Sequence, residues 1–190
     1  MFYLKLLDGI SLKFESISDI KVDKLTREDF FISLFRECRF SGFCKRYYSV
    51  AEHSIYCALE AFNRNYSFQD AKSCFIHDFE ECLMKDLPTP FKRVCPTYTQ
   101  NINILGEKIY TSLGCTGSKV KTKEIDWDMF CIEDKHLTFK NYDVLPDPNI
   151  EITDRHILKR LKMTEEETYN LDFKETIRRE FMQLYRYFMD

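Results

Sequence analysis

Residues 75–90 read FIHDFEECLMKDLPTP, and the reading of the whole chain turns on them. At 100° per residue, Ala71, Phe75, Asp78 and Cys82 share one face, at spacings of four, three and four. The spacing predicts a helix, which Pro88 and Pro90 must end or redirect. Asp78 is the charged member of that stripe. A carboxylate in a core is strongly disfavoured unless it is paired or holds a metal, so a cation is the simplest resolution. The adjacent His77 imidazole and Glu81, one turn further on, strengthen it. The stripe reads as the wall of a metal site.

Outward from this helix, the chain is helical nearly throughout. The first 14 residues are predicted to form a hairpin, FYLKLL and ISLKF around Asp8-Gly9. Thr26 can cap a helix to about Glu37, and a short loop holding Ser41 and Gly42 follows. Ser49-x-x-Glu52 is a capping box that opens a helix to about Asn63, and Ser67 caps the helix with His77 and Asp78. Further helices run from about Pro96 to Ser112, broken by Gly114 and Gly117, and over 118–138. A proline-containing connection spans 141–151. The box Asp172-x-x-Glu175 opens a last helix with Phe173, Ile177, Phe181, Leu184, Tyr185 and Phe188 on its apolar face. The expected fold is all-α in the main, one domain over 1–190 with a short N-terminal hairpin, its core motifs at 25–139 and a helical extension at 150–190.

Composition bounds the function. Hydrophobic content of 44% with 31% charged residues suits a soluble globular protein. A net charge of −3 gives no global attraction to a nucleic-acid duplex or an anionic membrane, so anion binding must be local. No apolar run reaches the ~18–20 residues of a membrane span, and no signal-peptide pattern opens the chain. The eight cysteines are scattered with no CxxC, which argues for reduced, mostly buried thiols rather than a zinc-thiolate site, in a reducing cytosol.

Two further residues join His77 and Asp78. His53 lies on the second face of its helix, beside Val50, Cys57 and Ala61, away from Ala51, Ile55, Ala58, Leu59 and Phe62. Taken alone it reads as a core histidine bonded to a backbone carbonyl. Asp126 shares a stripe with Phe130, Glu133 and Leu137, and alone reads as a surface acid; Asp128 is about 200° away and reads as solvated. As a His, His-Asp, Asp set they offer mixed N and O donors suited to Zn, Co, Ni, Mn or Fe. His136 and His156 lie apart from the set and read as surface residues, and Trp127 as a packing residue. The aromatic C-terminal helix reads as core or as an oligomer contact.

In that order, these residues resemble the HD-domain metal-dependent phosphohydrolases. The resemblance covers roughly 2–139 and rests on RF at 39–40, YSVAEHS at 48–54, HDxxE at 77–81 and DLPTPFK at 86–92. The same strings are similar to bacterial 5′-deoxynucleotidases and small phage HD hydrolases, including those that act on dATP. The resemblance implies that His53, His77, Asp78 and Asp126 hold one divalent transition metal (Co, Zn, Mn or Ni), with a possible second ion carried by substrate phosphates. Glu81 would act as base or orient the water, and Asp86 would assist proton transfer or position substrate. Leu87, Pro88 and Thr89 would line the nucleotide site. Arg39 would bind phosphate with Phe40 beside the sugar, where related deoxynucleotidases carry Trp; Phe43 stands where many relatives have His.

Lys92 and Arg93 read either as a solvated helix end or as phosphate contacts. The expected activity is removal of phosphate or triphosphate from deoxynucleoside 5′-phosphates, with deoxyadenosine nucleotides favoured. The alternatives are a phosphodiesterase for cyclic or short oligonucleotides and a non-catalytic nucleotide-binding regulatory module. A cytoplasmic homo-oligomer, in a bacterium or a phage-infected cell, completes the expectation.

Overall fold

A hairpin of β1 (Phe2–Lys5) and β2 (Ser11–Phe14) opens the computed structural model, which describes residues 2–139 and 154–190. The strands pair antiparallel from Phe2↔Phe14 to Lys5↔Ser11. Gly9, at φ +84°, supplies the left-handed residue the turn needs, and the Asp8 carboxylate accepts from the Ile10 amide at 2.9 Å. Among the described residues the rest is helix, connection and two isolated bridges, Cys38↔Ser49 and Cys44↔Thr138, so the fold is mainly α.

Two helices begin at caps legible in the sequence. Thr26 and Asp29 form a capping box for α1 (Arg27–Arg36), and Ser49 with Glu52 does the same for α2 (Val50–Asn63). α2 is the central rod, buried on nearly every side, and it packs against α1, α3, α7 and α10. α3 (Phe68–Ile76) begins at Ser67 and is followed by α4 (Glu81–Met84), α5 (Thr89–Val94) and α6 (Pro96–Ser112). α7 (Lys119–Leu137) carries the last part of the site, and α8 (Arg155–Leu161), α9 (Glu165–Tyr169) and α10 (Leu171–Met189) close the chain.

Two expectations are corrected. His77 and Asp78 do not lie inside a continuous helix, because α3 ends at Ile76 with His77 as its C-cap. The chain then tightens to i→i+3 bonds, Phe79 N to Ile76 O at 3.0 Å and Glu81 N to Asp78 O at 3.1 Å. The tightening keeps Phe75, Phe79 and Cys82 in the core while it turns His77 and Asp78 out at the helix end. The start of α10 is capped by Asn170, whose side chain accepts from the Phe173 amide at 2.7 Å, and not by Asp172. α8 and α9 fall within the expected helical extension at 150–190, which the sequence did not divide into separate helices. The expected connection at 141–151 lies outside the described residues.

The apolar face of α10 is used within the chain. Ile177, Phe181 and Phe188 are buried, and Phe181 meets Phe75 and Phe79 at centroid distances of 5.0 and 5.6 Å. That part of the face is therefore core. No helix among the described residues is long and apolar enough to cross a membrane.

Candidate metal centre

Four donors from three places converge at the end of α3. His53 comes from α2, His77 and Asp78 from the turn after α3, and Asp126 from α7; one donor atom of each lies within 4.8 Å of all the others. From His53 Nε2, the distances are 3.2 Å to His77 Nε2, 3.1 Å to Asp126 Oδ1 and 3.7 Å to Asp78 Oδ2. His77 Nε2 is 3.4 Å from both Asp78 Oδ2 and Asp126 Oδ1. A tetrahedron with metal–ligand arms of ~2.0–2.2 Å has edges of roughly 3.3–3.6 Å. The observed spacings straddle that range.

Hydrogen bonding on the far side of each ring fixes where the protons are. His77 Nδ1 lies 2.8 Å from the Cys74 carbonyl oxygen, which can only accept, so Nδ1 carries the hydrogen. His53 Nδ1 lies 2.6 Å from Glu133 Oε1. Burial would raise the Glu133 carboxyl, but His53 and Arg39 outweigh it and hold it below the usual carboxylate range, so it too accepts. With both Nδ1 atoms donating outward, a neutral pair of rings turns two Nε2 lone pairs inward, towards two carboxylate oxygens. Four acceptors facing one another need a positive charge between them. Burial opposes charge on His77, yet Asp78 and Asp126 outweigh it and lift the ring to about 10. The buried group can hold a metal ion, and its donor set fits one. Cys57 Sγ, 3.5 Å from His53 Nε2, is a poorer donor because burial holds its thiol protonated.

Glu133 is the functional residue that sequence reading passed over. It is fully buried, and besides His53 it meets the Tyr48 hydroxyl, which donates to Oε1 at 2.7 Å. Its Oε2 is 3.2 Å from Arg39 Nε, an ion pair at an angle poor for a hydrogen bond. Arg39 reaches Asp78 Oδ2 with Nη1 at 3.3 Å. One carboxylate thus holds both a ring of the donor cluster and the guanidinium beside it. The loop carrying Arg39 is left-handed at three successive residues, Phe40 (φ +55°), Ser41 (φ +52°) and Gly42 (φ +80°). For Phe40 that conformation is sterically unfavourable, and such strain concentrates at ligand-binding loops.

A cleft of about 360 Å³ opens over Asp78 and Asp126. Arg39, Phe40, Glu81, Asp86, Leu87, Pro88, Thr89 and Lys92 line it, so the expected site residues are brought together there, with His53 and His77 beneath them. Arg93 is exposed and outside the lining. Lys92 Nζ donates to Glu81 Oε1 at 3.1 Å, while the buried Glu81 Oε2 has no partner. Burial, reinforced by Asp78 and Asp86, raises the Glu81 carboxyl well above its ordinary value, and burial likewise raises Asp86. A second cleft of about 470 Å³ lies on the other side of the cluster, against His77, Glu80, Gly106, Tyr110, Lys123 and Asp126.

Other expectations are revised here. Trp127 does not pack away: it is 52% exposed and lines the first cleft with Phe130. Asp128 is not free in solvent but pairs with Arg64 Nη1 at 2.7 Å. His156 is exposed, as expected, while His136 is half-buried. All eight cysteines are free thiols, with Cys57, Cys74, Cys82 and Cys131 buried.

No protein-family model matches the chain. The uncharacterized protein YfdR of Escherichia coli (strain K12) is 30% identical over 98 residues, which is 52% of this chain and 51% of that protein. The similarity therefore spans about half the length of the curated relative it reaches.

Proposed function

We propose that this protein is a divalent-metal-dependent phosphohydrolase that removes phosphate or triphosphate from deoxynucleoside 5′-phosphates, deoxyadenosine nucleotides foremost, and that it belongs with the HD-domain enzymes its motifs resemble. The observation that carries this reading is the inward-facing acceptor set of His53, His77, Asp78 and Asp126 at the floor of a cleft lined by Arg39 and Lys92. Mixed N and O donors favour Zn, Co, Mn or Ni. A bound ion would supply Lewis-acid polarisation of the phosphoryl group and acidify an attacking water.

The chain's own residues do the rest. Arg39 and Lys92 neutralise phosphate oxygens, the guanidinium in a geometry matched to them. Glu81 is anchored through Oε1 by Lys92, which leaves Oε2 to take a proton from the attacking water. Asp86, half-buried in the same lining, returns a proton to the leaving oxygen. Phe40 packs beside the sugar, and Leu87, Pro88 and Thr89 shape the nucleotide pocket.

The test is turnover by chelator-treated protein reloaded with Co, Mn, Zn or Mg. Substrates are deoxy- and ribonucleotides with one to three phosphates, together with cyclic dinucleotides. Phosphate or triphosphate release confined to deoxynucleotides is the expected result. Cleavage of cyclic dinucleotides alone would move the reading to a phosphodiesterase. Nucleotide binding without turnover under any metal would move it to a regulatory module. Asp78→Ala should lose the metal, whereas Glu81→Ala should keep it and lose about 10²–10⁴ in rate.

A further inference from the structure

The chain's single tryptophan lines the cleft and is half exposed. Trp127 follows Asp126 on α7, yet 52% of it is exposed, a costly position for the largest apolar side chain. It stacks on Phe130 at a centroid distance of 5.7 Å and 25°, and Phe130 stacks on Phe40 at 5.8 Å and 27°. The Arg39 guanidinium lies 5.8 Å from the Phe40 ring centre. Three rings, each tilted 25–27° from the next, thus share one wall of the cleft. Leu87, Pro88 and Pro90 line the same cleft and give it further apolar surface. A ligand matched to this cleft is anionic at one end and flat and aromatic at the other.

We propose that the exposed surface of Trp127 is the base-stacking platform of the site, so that the nucleobase lies against Trp127 in the cleft while the phosphate lies over the donor cluster. This rests on the nucleotide reading above and adds to it the residue that holds the base. Stacking uses the π-face that every base has, so it ranks ligands by ring area rather than by hydrogen-bond pattern. Purines then bind more tightly than pyrimidines, with no base excluded.

Because Trp127 is the only tryptophan, its emission reports the contact directly. Zinc-loaded protein is titrated with dAMP, dCMP and 2-deoxyribose 5-phosphate at low temperature. Equilibrium dialysis follows occupancy, with hydrolysis corrected by chromatography. The expected result is quenching by dAMP, less by dCMP, and none by 2-deoxyribose 5-phosphate at equal occupancy. Trp127→Ala should weaken dAMP by about 10- to 100-fold and leave 2-deoxyribose 5-phosphate unchanged, while Trp127→Phe restores most of the loss.

Retention of dAMP with unchanged emission overturns the stacking role and leaves the nucleotide reading standing. Equal weakening of both compounds in Trp127→Ala does the same. Emission that shifts with protein concentration rather than with ligand assigns the exposed surface to a second copy of the chain and also overturns it. Retention of none of the three compounds overturns the nucleotide reading itself, and the stacking role with it.

Discussion

Glu133 Oε1 lies 2.6 Å from His53 Nδ1, and neither side chain touches solvent. The contact sets which nitrogen of His53 faces the donor cluster, so Glu133 acts on the cluster without belonging to it. Glu133→Gln should keep the fold, because the amide oxygen can still accept from Nδ1. It removes the charge that holds Arg39 and raises the basicity of the ring. Metal affinity measured by calorimetry should fall about 10- to 100-fold, and the metal-free protein should also lose stability because buried Arg39 loses a counter-ion. Unchanged affinity would reduce Glu133 to a packing role.

Gly117 sits where a side chain has no room. A Cβ there would lie 2.2 Å from the Gln69 carbonyl oxygen and 2.5 Å from Ser73 Cβ, both on α3. The loop between α6 and α7 thus rides directly on the α3 backbone. Gly117→Ala should cost about 1–3 kcal/mol in denaturant unfolding, whereas Gly114, in a left-handed conformation at φ +61° with open space around it, is required for its backbone rather than for clearance.

Asp70 predicts the acid limit of stability. Its carboxyl is held down to about 2, first by the Lys121 ammonium at 2.6 Å, then by the Ser118 amide at 2.9 Å and the Ser67 hydroxyl at 2.7 Å. A depressed folded-state value means the stabilisation is complete above the unfolded-state pKa near 3.8 and is lost as pH falls through about 2. Unfolding free energy should therefore drop between pH 4 and pH 2 more steeply in the native chain than in Asp70→Asn. Parallel profiles would show that this contact does not govern the limit.

Cys38 is the thiol to watch. The adjacent Cys44 thiol, with backbone groups at Tyr48 and Gly42, lowers Cys38 against burial, which favours its thiolate. Iodoacetamide at pH 7 followed by peptide mapping should label Cys38 before the more exposed Cys95, and Cys44→Ala should slow that labelling. First labelling at Cys95 would contradict the hydrogen-bonded account.

How much of this was readable in advance depended on whether a residue broke a pattern. Asp78 was legible as a charge in an apolar stripe, whereas His53 and Asp126, unremarkable alone, gained meaning only as a set with His77 and Asp78. Glu133 sits seven residues after Asp126 on the same helix face, and an acid at such an offset is ordinary on a solvated helix; only the approach of Arg39, Tyr48 and His53 from other elements gives it meaning. Trp127 misled for the reverse reason, since a lone tryptophan beside a helical stripe is usually core. The end of α3 was hidden because i→i+3 tightening leaves the apolar spacing of Phe75, Phe79 and Cys82 almost unchanged. At α10 two capping signals overlap within three residues, and the sequence pattern alone does not choose between Asn170 and Asp172.

α7 carries Asp126, Trp127, Phe130 and Glu133 on a single rod of 19 residues. An ion donor, a cleft wall and the carboxylate that aims His53 are therefore locked to one another in helical register. Adding or deleting one residue between positions 126 and 133 would rotate one end against the other by about 100° and disconnect all of them at once. The DLPTP segment meets the cleft from α5 and its preceding turn, apart from that register. Length variation within α7 would dismantle the donor cluster and the cleft wall together, whereas side-chain exchange at Leu87 and Thr89 would reshape the cleft and leave the cluster in place.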